Sequence, residues 1–158
     1  MTQPAARVDS DKLPAMEPSA LRKRVKEAID GARQAATARR VAGDAAERAW
    51  RAARETVVVP TWQQTVQVLR SEGYLLQVST PSDTVRVSTE KNPQDGVELA
   101  LETGSQGPFL LQRVTTTRGR EVTSDERVAV AGTETIAALN EEQAVALLLS
   151  ALAPFFER

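Results

Sequence analysis

The stretch YLLQVSTPSDTVRVSTEKNPQDGVELALE, residues 74–102, decides the fold class. Tyr74, Leu76, Val78 and Thr80 alternate with Leu75, Gln77 and Ser79. Val85, Val87 and Thr89 alternate with Arg86 and Ser88, and Val97, Leu99 and Leu101 with Glu98, Ala100 and Glu102. A period of two sends successive side chains to opposite faces of a strand. Pro81-Ser82-Asp83 and Lys91 to Gly96 carry the turn residues that return the chain on itself. The segment is therefore an antiparallel meander with one polar face. Downstream, Phe109 to Thr117 and Arg120 to Thr123 read as a hairpin around Arg118-Gly119, and Val128 to Ala131 as a weaker last strand.

Helices flank the meander. Upstream, Thr61-Trp62-Gln63-Gln64 has the spacing of a capping box, Trp62, Val66 and Leu69 share one face, and Gly73 supplies a left-handed stop. A short helix follows from this. Downstream, Asn140 caps a helix whose first turn holds Glu141 and Glu142, with Leu139 stapling onto Ala144. From Ala144 to Phe156 nearly every position is apolar, so this helix needs burial on more than one side. If Leu148, Leu152 and Phe155 face the sheet, Val145, Leu149 and Phe156 face something else. The fold class is α+β: a two-layer domain of helix, four- to five-stranded antiparallel meander and C-terminal helix, preceded by a long helical arm.

That arm runs from Pro18 to Glu55. Leu21, Val25, Ala28, Ala32, Ala35, Ala42, Ala46, Ala49 and Ala53 recur at steps of four and three, with Arg39 the one break. Ile29, Ala36 and Trp50 widen the stripe, which is coiled-coil-like. Gly31 and Gly43 each cost about 1 kcal/mol relative to alanine, and either is a candidate bend. The β-branched run Thr56 to Val59 before Pro60 predicts that the helix stops near Glu55 and gives way to an extended connector. Residues 1–17 read as a disordered leader, 18–55 as the arm and 56–158 as the α+β domain.

Composition narrows the chemistry. Cysteine and histidine are both absent, which removes thiolate nucleophiles, imidazole bases and the metal sites they build. There is no glycine-rich phosphate loop. Asp125 and Glu126, expected in a loop, and Glu98 and Glu102, about 13 Å apart along a strand, read as solvated carboxylates rather than a cation site or an acid–base pair. No enzymatic activity, cofactor or metal is expected. With no signal sequence and no apolar run long enough to span a bilayer, the protein is expected to be cytoplasmic.

Two binding readings remain. The first is a protein–protein interaction or assembly module, adaptor or chaperone-like, that self-associates or docks on a larger complex. Its contact residues are Leu21, Val25, Ile29, Trp50, Val145, Leu149 and Phe156. Trp50 also has a plainer reading, as the anchor of the arm in the domain's own core. The alternative is nucleic-acid binding through Arg22, Lys23, Lys26, Arg33, Arg39 and Arg40, with Arg118 and Arg120 at the hairpin tip. Charge asymmetry motivates it: residues 1–55 hold twelve Lys and Arg against eight Asp and Glu, and residues 56–158 hold eight against thirteen. No motif residue ties the chain to a family.

Overall fold

The computed structural model describes residues 16–157, so the expected leader lies outside the described residues except for Met16 and Glu17. The chain divides into two compact units, one ending at Val41 and the other beginning at Ala42. Helix α1, Pro18–Ala53, contributes to both, and neither Gly31 nor Gly43 interrupts it. In the first unit every described residue is exposed. Alanine-rich composition supplies intrinsic propensity there, without a packed face among these residues.

The second unit is the α+β domain. Its helical part does not stop at Glu55 as expected. Arg54–Val58 form a π-helical turn and α2, Val59–Ser71, follows without an extended connector. The Val59 amide donates to the carbonyl of Arg54, five residues back, and the Thr56 hydroxyl donates to the carbonyl of Ala52 at 2.6 Å. Proline inside an α-helix removes one bond and crowds the carbonyl four residues earlier. A wide turn just before Pro60 accommodates it within a continuous helical path. The capping box at Thr61 is likewise absent, because Thr61 lies inside α2 and its carbonyl accepts from the Thr65 hydroxyl at 2.8 Å.

Five strands follow in the order β1-β2-β3-β4-β5: Leu76–Ser79, Val85–Thr89, Gly96–Gly104, Gly107–Arg118 and Glu121–Ala131. All neighbours are antiparallel. The two last segments read from sequence are one eleven-residue strand, β5, with a register shift opposite Leu110 and Leu111. Asp125 and Glu126 therefore sit in a strand and not in a loop. Gly96 is required by close approach: a Cβ there would collide with the backbone of Val87 and Ser88. A short helix α3, Thr133–Ala137, not anticipated, leads into α4, Glu141–Phe156. At its start the Asn140–Gln143 capping box forms reciprocally, at 2.8 and 3.0 Å.

One face of the sheet is covered by helix and buries Val85, Val87, Val97, Leu99 and Leu110. Ala144, Leu148, Ala151, Leu152 and Phe155 of α4 pack into the same core, as do Trp50, Ala53, Val58, Trp62 and Val66. Both indoles find acceptors. Trp62 donates to the Ala144 carbonyl at 2.8 Å and Trp50 to the Asp83 carbonyl at 2.6 Å, which removes the penalty of burying an unpaired N–H. The other face carries a cross-strand charge ladder: Arg86 to Glu98 at 3.6 Å, Glu98 to Arg113 at 4.0 Å and Arg113 to Glu126 at 3.0 Å. Such partly exposed pairs contribute little each, but their order matches strand register.

Candidate interaction surface

In the first unit the apolar stripe is open. Leu21 and Val25 are each 50% exposed, Ile29 is 45% exposed, and all three lie on α1 at steps of four. Three large aliphatics at that spacing form a continuous ridge on one side of a helix. Arg22, Lys23, Lys26, Arg33, Arg39 and Arg40 are exposed along the same segment. Residues 16–41 hold seven Lys and Arg against three Asp and Glu. The segment is thus a basic, amphipathic helix.

In the second unit α2 and α4 meet along a groove of about 610 Å³. Thr61, Gln64, Thr65, Val68 and Leu69 line it from α2, and Glu141, Glu142, Val145 and Leu149 from α4. Val68 is 59% exposed and Leu149 38% exposed, so the floor is apolar and open to water. The two carboxylates mark the end of the groove at the start of α4, where they also favour the helix N-terminus. Across Lys, Arg, Asp and Glu, this unit holds eleven cationic against sixteen acidic residues from Ala42 onward.

The seven residues singled out as partner contacts separate into three groups. Leu21, Val25 and Ile29 share the ridge of the first unit. Val145 and Leu149 share the α2–α4 groove, whereas Phe156 stacks edge-on against Tyr74 with centroids 5.0 Å apart. Trp50 is 2% exposed, a core residue with Arg54 6.0 Å from its ring. The hairpin-tip cations Arg118 and Arg120 are exposed on either side of Gly119, and Arg118 stands opposite Glu121 in the ladder. Glu98 lies between two arginines and Glu102 on the exposed part of β3.

Sequence reasoning did not find Val68, because the α2 face was defined by Trp62, Val66 and Leu69, the side turned to the core. It also missed Gln112, which is 1% exposed on the covered face of β4. Its amide nitrogen donates to the Leu147 carbonyl at 3.0 Å and its oxygen accepts from Arg127 Nε at 2.7 Å. A polar residue at the apolar parity, between Leu110 and Val114, was the available signal. Beside it, Arg127, Val130, Leu139, Gln143 and Leu147 line a second groove of about 510 Å³ between β5 and α4.

Among the described residues no group of three or more Asp or Glu could hold a metal ion, and no helix is long and apolar enough to cross a membrane. The chain matches no protein-family model, no curated protein and no solved structure.

Proposed function

We propose that the protein is a non-enzymatic protein–protein interaction module of the cytoplasm, which assembles through the α1 ridge and the α2–α4 face. The ridge carries the reading: Leu21, Val25 and Ile29 are about half exposed on one side of a single helix. Burying such side chains is worth roughly 1.5–3 kcal/mol each, and an isolated helix is marginal in water without tertiary contacts. The absence of histidine and cysteine supports a binding role over catalysis. Hydrogen exchange read beside sedimentation tests the self-associating form. Protection of amides 21–40 is expected to rise with protein concentration. Strong protection that is already complete in a sedimenting monomer would show that the ridge needs no partner.

The basic cluster favours a second reading, binding of nucleic-acid phosphates by Arg22, Lys23, Lys26, Arg33, Arg39 and Arg40, all exposed. Affinity for duplex DNA would then fall steeply between low and physiological salt. Full-length protein that leaves duplex DNA unbound at low salt removes this alternative.

A further inference from the structure

We infer that the occupant of the α2–α4 groove is the α1 ridge of a second copy of this chain. The inference rests on the interaction-module reading and names its partner and mode. Length agrees first. Leu21 to Ile29 spans eight residues, about 12 Å of helix, and the groove wall from Thr61 to Leu69 spans the same. A helix in an apolar groove is a common recognition mode, with anchors at steps of three and four. Here the anchors are Leu21, Val25 and Ile29, and the floor is Val68, Val145 and Leu149.

Charge decides between the two surfaces that could receive the ridge. Ridge against ridge would bring together two segments that each hold seven cations and three acids. Ridge against groove sets Lys23 and Lys26 beside an acidic unit whose groove ends at Glu141 and Glu142. Complementary fields steer encounter and fix register, while like charges oppose it. The contact joins two different patches, so it either closes as a two-fold pair, each ridge in the other copy's groove, or runs head to tail as a ring or a chain of copies.

Because the native chain has no cysteine, site-specific cross-linking reads the geometry directly. Full-length Val25→Cys protein is mixed with full-length Val68→Cys protein under mild oxidation. The mixed product is expected to exceed the Val25→Cys homodimer at least fivefold. In sedimentation at low salt, the Glu141→Lys/Glu142→Lys variant is expected to associate at least tenfold more weakly. Adding Lys23→Glu/Lys26→Glu chains to it is expected to restore association between the two variants.

A predominant Val25→Cys homodimer, with the Glu141→Lys/Glu142→Lys variant associating normally, overturns the inference and means that ridges pair as a coiled coil. Concentration-dependent protection of amides 21–40 would persist in that case, leaving the interaction module intact. Absence of any cross-link together with concentration-independent protection overturns both. Circular dichroism of each variant confirms that the fold is retained.

Discussion

Trp50 and Gly96 are two residues whose identity the packing dictates, for opposite reasons. Trp50 fills a site at 2% exposure and hydrogen-bonds the Asp83 carbonyl from its ring. Trp50→Ala is expected to lower unfolding free energy by about 3–5 kcal/mol, read as a shift in denaturant midpoint. A residue serving only as a contact for a partner would leave the midpoint of the lone chain unchanged. Gly96 is there because β2 and β3 approach too closely for a side chain, with the Val87 carbonyl and Ser88 Cα in the way. Gly96→Ala is expected to cost about 1–3 kcal/mol as the strands are forced to shift. Gln112 shows a third situation, in which a buried amide is tolerated because both of its ends are bonded.

Elements read from sequence held where two signals agreed and failed where local chemistry met tertiary burial. The meander was legible because alternation and turn residues coincided from Tyr74 to Glu102. The Asn140 cap was legible because the box and the apolar run began together. The end of the first helix was not: Thr56 to Val59 and Pro60 both argue for a break, yet Val58 and Trp62 are fully buried, and a π-helical turn keeps both in the core. Local propensity lost to burial there. The arginines and glutamates of the sheet ladder were visible as polar alternates, but their pairing depends on register, which no single strand encodes. Of the candidate surface, the ridge was legible and the groove only half so, through Val145 and Leu149. At this scale Leu149→Glu is informative. With 38% exposure the new carboxylate can reach water, so the unfolding free energy should fall by about 1 kcal/mol while self-association is lost. A fall of several kcal/mol with unchanged association would mean that the groove is already filled within one chain.

For the whole molecule the division of charge sets the behaviour in solution. In the proposed assembly, the cationic segment up to Val41 and the acidic unit after it would give association an electrostatic component, which salt screens with a Debye length of about 8 Å at physiological strength. Self-association measured by sedimentation is therefore expected to weaken from 50 mM to 500 mM salt, in contrast to a purely apolar contact. The sheet ends in β5, eleven residues long, exposed over most of its length and hydrogen-bonded on one side by β4. An open edge of that length is a template for strands from any other chain. Its centre reads Asp125-Glu126-Arg127, three successive charges between Val122-Thr123-Ser124 and Val128-Ala129-Val130-Ala131. Colloidal stability of this protein is thus expected to depend on three side chains far in sequence from the ridge. Asp125→Thr/Glu126→Val chains should scatter light and bind thioflavin on storage, although nothing in their core has changed.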